Sequence, residues 1–321
     1  MVKRVVVTDS NFATLEVERA AAERCGASFA SYQCSTEDAV AKALAGADVG
    51  VVQFAPVSAA AIAGMAPGAR LIRYGVGYDN IDIAAARQSG RDLAYVPDYC
   101  TDEVADHTAT MSLALLRRLP ALDASVRRSV WSVLEAAPSI RASGDVLVGF
   151  LGLGRIGRAT LSRLAPFGLR FAVHDPMLSQ EDVEQLGATM MDRNTLIASV
   201  DLLILHLPLT IDSHHVIDAG SLAAMRQGSA IVNTARGGLI DEDALAVALI
   251  SGRIAGAALD VFETEPLGAT SPLRQAPNII LTPHAAWYSD TAVTRLQSLV
   301  ADEIARALSG APPRRPVPNH Q

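Results

Sequence analysis

Four side chains in the last third of the chain are of the types that move protons or bind anions. They are Arg236 in Asn233-Thr234-Ala235-Arg236-Gly237-Gly238, Asp260 after Ala258-Leu259, Glu265 in Glu263-Thr264-Glu265-Pro266, and His284 after Thr282-Pro283. Each sits at or just beyond the end of a short apolar run, the place where α/β sheets gather ligands. Singly, each has an ordinary structural explanation: an arginine near an acid is usually an ion pair, and a loop histidine is usually hydrogen-bonded and inert. As a set they suit carbonyl reduction. Arg236 can hold a substrate carboxylate and polarise the neighbouring keto oxygen, while protonated His284 donates to the forming alkoxide. Glu265, bonded to the imidazole, favours its charged form and holds its orientation. General acid catalysis of this kind is worth about 10²–10⁴-fold.

A hydride source is implied upstream. Gly152-Leu153-Gly154-Arg155-Ile156-Gly157 matches G-x-G-x-x-G, a weak signal alone because glycines gather at many turns. Its setting strengthens it: the apolar run VLVGFLG leads in, a helix starting near Arg155 leads out, and the next strand ends at His174-Asp175. Small residues let backbone approach a pyrophosphate, and the helix start supplies N–H donors. Asp175 lies 18 residues beyond the last glycine, 157 to 175. A carboxylate there binds both ribose hydroxyls and repels a 2′-phosphate, so NAD(H) is expected over NADP(H).

Positioning these residues requires alternating strands and helices. Strands are expected over 4–8, 28–32, 49–53, 71–74 and 93–96, with helices over 13–24, 37–45, 58–65 and 83–89 between them. Such alternation means βαβ units and a parallel sheet. A long helix is expected over 102–119, with Thr101 as its N-cap. The alternation then restarts, with strands over 145–151, 170–174, 202–205, 230–233, 256–259 and 279–281. One sheet of all these strands is unusually large. The expected fold class is therefore α/β with two Rossmann-like domains on parallel sheets. An amphipathic helix over 291–308 is expected to return to the first domain. That makes the substrate domain discontinuous (1–100 and 286–321) and flavodoxin-like, around an NAD-binding domain of 101–285. The proline-rich tail APPRRPVPNHQ is expected to be mobile at its end.

The totals bound the reading. The chain has 321 residues, half of them hydrophobic, with a net charge of −7 and no basic cluster, so no nucleic-acid surface is expected. No apolar run is long enough for a bilayer, and the start, MVKRVVVTDS, lacks a secretory apolar stretch. Cys25, Cys34 and Cys100 follow no paired or metal-ligand spacing, which fits a reducing, cytoplasmic setting. No metal is expected either: His214 and His215 have no carboxylate or cysteine at ligand spacing and read as a solvated loop. His107 reads as a packing or interdomain hydrogen-bonding residue. Cys100 has no base indicated beside it, and G-x-S-x-G is absent.

Taken together, the fingerprint, NTARGGLIDEDAL, LDVFETEP, TPHAAWYS, RYGVGYDNID and VPDYCTDEVADHT resemble the D-isomer-specific 2-hydroxyacid dehydrogenases over nearly the whole chain. HAAWYS resembles that family's C-terminal-binding-protein branch. The resemblance implies Arg236, Glu265 and His284 as a catalytic trio. It implies NAD contacts from Arg155, Ile156, Asp175, Thr234, Ala235 and Asp260, with His206-Leu207-Pro208 passing beside the cofactor. It also implies substrate-carboxylate binding by backbone N–H groups around Gly75, Val76 and Gly77, after Tyr74. Phe54 and Tyr74 are candidate pocket walls or, equally, core residues. The branch associates Trp287 with keto acids bearing an extended apolar tail, such as 4-methylthio-2-oxobutyrate. A homodimer through 120–144 is implied as well. The partner is then a small 2-oxo or 2-hydroxy acid. Glyoxylate/hydroxypyruvate reduction, phosphite oxidation and an NAD(H)-sensing scaffold remain the alternatives. One departure is Gly90-Arg91-Asp92-Leu93-Ala94-Tyr95, where the family often has Gly-Ile-x-Val-x-Asn, and it leaves the local shape there open.

Overall fold

A computed structural model describes residues 2–137 and 139–318. It divides into two compact units, Met1–Cys100 with Ser289–Gln321, and Thr101–Tyr288. The second boundary falls three residues later than the expected 285/286. Tyr288 N–H bonds back to the Ala285 carbonyl, and the last helix begins only at Asp290, capped by Ser289.

The first unit is a five-stranded sheet of β1 (Arg4–Val7), β2 (Ser28–Ser31), β3 (Val49–Val52), β4 (Arg70–Arg73) and β5 (Asp92–Tyr95). Its order is β2-β1-β3-β4-β5 with every pair parallel, the flavodoxin-like arrangement. β3 and β4 are buried at all four positions, as strands covered on both faces must be. The helix Asp290–Ser309 belongs to this unit, burying Ala292, Leu296, Val300 and Ile304 along one face.

One expectation is revised here, and another bears on residues only partly described. Tyr74 is 1% exposed, and its hydroxyl donates to the buried Glu18 carboxylate, so its side chain is core and not a pocket wall. Burial raises the Glu18 pKa against the opposing hydrogen bond from Tyr74. The proline-rich tail is also docked through residue 318. Tyr95 N–H bonds to the Arg315 carbonyl and Val317 N–H to the Leu93 carbonyl, which pairs the tail with the sheet edge. The remaining three residues lie outside the described ones. At the departure from the family pattern, Asp92 pairs with Arg70 at 2.9 Å, Arg91 bonds the Met65 carbonyl, and Tyr95 packs edge-on against Tyr78.

The second unit is a seven-stranded parallel sheet. It comprises β6 (Leu147–Leu151), β7 (Arg170–His174), β8 (Ala188–Met190), β9 (Leu202–Leu205), β10 (Ala230–Asn233), β11 (Gly256–Leu259) and β12 (Ile279–Leu281). Their order is β12-β11-β10-β9-β6-β7-β8. The strand order reverses between β6 and β9, so their carboxyl ends flank the switch-point crevice of a dinucleotide fold. β8 was not expected: it is three residues long, contains the exposed Thr189 and lies at the edge.

The long helix runs Thr101–Leu116, with Thr101 inside its first turn and not capping it. Arg118 turns left-handed (φ 55), and a second helix, Leu119–Arg127, begins with Pro120 in its first turn. A proline ring is tolerated there but not in the interior of a continuing helix.

Candidate functional site

The nucleotide end of the site starts at Gly152, which has φ +85 and sits so close to the loop after β9 that a Cβ would lie 2.6 Å from the His206 carbonyl oxygen. Only glycine fits that approach. Gly157 passes Gly152 with similar closeness, a Cβ there meeting the Gly152 carbonyl oxygen at 3.0 Å. Gly154, by contrast, would carry its Cβ into open space, with nothing within 4 Å. That space lies at the start of the helix Arg155–Leu164, whose Gly154 N-cap brings no side chain to the first-turn N–H groups. A diphosphate fits there, with Arg155 and Ile156 in the same first turn.

Asp175 is held at the mouth of this cradle. One carboxylate oxygen accepts Leu153 N–H at 2.8 Å and the other Met177 N–H at 2.9 Å. The fingerprint loop and its acid are thus one hydrogen-bonded piece. His174 turns away to the Met191 carbonyl, so the two neighbours form no dyad. His206 pairs with the Thr160 hydroxyl at 3.1 Å, and burial pushes its imidazole down to about 4. The ring is thereby kept neutral at its contact with Thr160.

The catalytic end is built from the loops after β10, β11 and β12. Asn233 folds the first of these: its side chain accepts Ala235 N–H and donates to the Arg236 carbonyl. Arg236 donates to the Ala235 carbonyl, and the Thr234 hydroxyl bonds that of Thr108 at 2.7 Å. Glu265 accepts Phe262 N–H at 3.0 Å through one oxygen and meets His284 Nδ1 at 2.7 Å through the other. Burial works against the Glu265 charge. The hydrogen bond and charge of His284, the Phe262 N–H and the nearby Arg236 together outweigh it, and the carboxyl lies below its ordinary range. Arg236, Glu265 and His284 are therefore brought together, although 48 residues separate the first from the last, 236 to 284.

His284 holds φ +52, an uncommon conformation outside glycine, and the structure around it explains why it persists. Its N–H bonds the Asp260 carbonyl at 2.8 Å. The Asp260 side chain is wholly buried and accepts the Thr282 hydroxyl, Ala285 N–H and Ala286 N–H. Asp260 was expected as an NAD contact; its carboxylate pins the turn that aims His284. His107 joins the same network, bonding the Thr282 hydroxyl at 3.2 Å. Its hydrogen bond is internal to the second unit and not between domains. Sequence reasoning gave no role to Asn233, Thr282, Thr108 or Thr160. Asn233 alone left a signal, as an Asx residue opening a turn.

Trp287 is half-buried and stands edge-on to Tyr288, with ring centroids 5.6 Å apart. Gly75, Val76 and Gly77 follow β4 in the first unit. Gly75 has φ +150, and a Cβ there would lie 2.3 Å from the Arg73 guanidinium. His214 and His215 do have a carboxylate neighbour after all, since Glu263 bonds His215 Nε2. None of the three cysteines is in a disulfide, and among the described residues no helix is long and apolar enough to cross a membrane.

A reversed-order parallel sheet carrying a glycine cradle with its acid anchored beside it defines a dinucleotide-binding Rossmann unit. The chain belongs to the D-isomer-specific 2-hydroxyacid dehydrogenase family, residues 109–286 matching that family's NAD binding domain. It is 38% identical to a D-3-phosphoglycerate dehydrogenase of Synechocystis sp. over 245 residues, 76% of this chain and 44% of that protein. It is 36% identical to the D-3-phosphoglycerate dehydrogenase of Archaeoglobus fulgidus over 245 residues, 76% of this chain and 46% of that protein. The chain thus spans less than half the length of these two relatives. Among solved structures, a D-lactate dehydrogenase from Aquifex aeolicus complexed with NAD and lactic acid superposes with a TM-score of 0.86. It shows 26% identity over 95% of this chain and 96% of that one.

Proposed function

We propose that this chain is a cytoplasmic NAD-dependent oxidoreductase that interconverts small D-2-hydroxy acids and 2-oxo acids. The observation that carries the reading is the 2.7 Å contact of His284 Nδ1 with Glu265, beside Arg236. Bound NADH supplies the hydride. Arg236 binds the substrate carboxylate and polarises the keto oxygen. His284 Nε2 donates the proton, with Glu265 fixing the ring through Nδ1. Trp287, in HAAWYS, favours substrates with an extended apolar tail. A panel containing 4-methylthio-2-oxobutyrate, branched 2-oxo acids, glyoxylate and, in the oxidative direction, D-3-phosphoglycerate tests this by NADH absorbance. Turnover of glyoxylate alone removes the Trp287 assignment. No turnover on any acid, together with NAD(H)-dependent partner capture, favours the scaffold.

Asp175 gives a cofactor prediction. Asp175→Asn keeps the side-chain shape but removes the charge that repels a 2′-phosphate. The ratio of kcat/KM with NADPH to that with NADH should rise about tenfold or more, the scale of one charged hydrogen bond. An unchanged ratio would place the ribose elsewhere.

The homodimer assigned to 120–144 has a physical candidate surface. Leu119, Val126, Trp131, Val133 and Leu134 are exposed in one short stretch, Trp131 at 92%. Clustered apolar exposure of this kind marks an interaction surface. Trp131→Glu should convert a dimer to a monomer in light scattering, and a variant that stays dimeric would exclude this surface.

A further inference from the structure

We propose that His214, His215 and Glu263 form a zinc site separate from the Arg236, Glu265 and His284 set. Each of the three offers one ligand atom, and these atoms lie within 4.8 Å of one another. The imidazoles stack at 3.9 Å between centroids, and His215 Nε2 bonds the Glu263 carboxylate. Tetrahedral zinc with bonds of about 2.0–2.1 Å needs its ligand atoms about 3.3 Å apart. Side-chain movements on the order of an ångström bring the three donors to that spacing. His214 and Glu263 are exposed and His215 is half-buried, so such movements meet little packing.

The backbone is already set for presenting these groups. His214 N–H bonds the Thr210 carbonyl at 2.9 Å and His215 N–H the Gly238 carbonyl at 2.8 Å, with His215 held at φ +49. The Thr210 and Ser213 hydroxyls close the same turn, Ser213 donating to the Pro208 carbonyl at 2.7 Å. Across from it, Glu263 N–H bonds the Glu242 carboxylate at 2.7 Å. That places a second acid beside the cluster, which raises the local preference for a cation. Two imidazole nitrogens and one carboxylate oxygen are a donor set for zinc, not for magnesium or calcium, which take oxygen ligands. Three protein donors leave the fourth tetrahedral position to solvent. The ion would tie the turn after β9 to the segment after β11.

The test is calorimetric titration of the full chain, freed of metal with a chelator, with zinc chloride. One saturable site per chain is expected, with a rise in melting temperature on zinc addition. His215→Gln and Glu263→Gln should each weaken binding by about tenfold or more, and the double variant His214→Gln/His215→Gln should abolish it. His284→Gln should leave zinc uptake unchanged, which separates this cluster from the adjacent imidazole and carboxylate. The metal-free melting temperatures of the variants report whether they fold as the parent does. Absence of saturable uptake by the parent chain overturns the proposal. So does uptake undiminished in the double variant, or uptake lost in His284→Gln but kept in the double variant; the cluster is then an ion pair with a stacked neighbour.

Discussion

His284→Ala is expected to lower the rate of 2-oxo acid reduction by about 10²–10⁴-fold while NADH binding survives. In the proposed mechanism the imidazole delivers the proton, and the cradle at Gly152 to Gly157 with Asp175 does not depend on it. The loss should appear in kcat, since the carboxylate contact proposed for Arg236 is left in place. Removing the ring also takes away the hydrogen bond and charge that hold Glu265 below its ordinary range. Burial then acts with less opposition, and the Glu265 carboxyl moves up. Because residue 284 sits at φ +52, alanine adds a backbone cost that asparagine avoids. His284→Asn should therefore show the same kinetic loss with a smaller fall in melting temperature. Stopped-flow turnover with parallel NADH fluorescence titration separates chemistry from binding. Undiminished reduction in both variants removes His284 from the mechanism.

The second large effect is structural in origin. At Gly237 a Cβ would lie 1.8 Å from the Phe262 carbonyl carbon, 2.1 Å from its oxygen and 2.3 Å from Glu263 N. These are backbone atoms and cannot swing aside. Gly237→Ala must force apart the loops after β10 and β11, which carry Arg236 and Glu265. Overpacking of this severity costs about 3 kcal/mol, and about an ångström of misplacement costs on the order of 10²-fold in rate. Gly238→Ala is the internal control. Its Cβ would meet the tip of the Leu209 side chain at 3.0 Å, which a rotation relieves. Denaturant midpoints and kcat/KM for the pair decide the matter. A Gly237→Ala protein with parental stability and turnover would mean that the two loops are not packed as described.

The strands were readable because a parallel sheet buries both faces of each strand, so β3, β6 and β9 are short unbroken runs without a polar side chain. β8 was not, because an edge strand of three residues needs no such run. The tail shows the converse. Its proline-rich composition gives no element, yet contacts distant in sequence hold it through residue 318: the edge of β5, and side-chain bonds with Arg70 and Glu303. Tyr74 at a strand end fits a pocket or a core equally well on paper. Its partner, Glu18, lies 56 residues earlier, and their hydrogen bond decides the case.

The amino-acid order alone determined the glycine loop, the acid after it, and the arginine, glutamate and histidine at strand ends. Each of these depends on backbone geometry within a few residues. What only tertiary structure decided is which oxygen meets which nitrogen. Asp260 holds the turn of His284, and Glu263 stands beside two histidines nearly fifty residues away, 215 to 263. Such pairings arise when parallel strands deliver distant loops to one sheet end, where a directional hydrogen bond selects the partner that sequence spacing does not reveal.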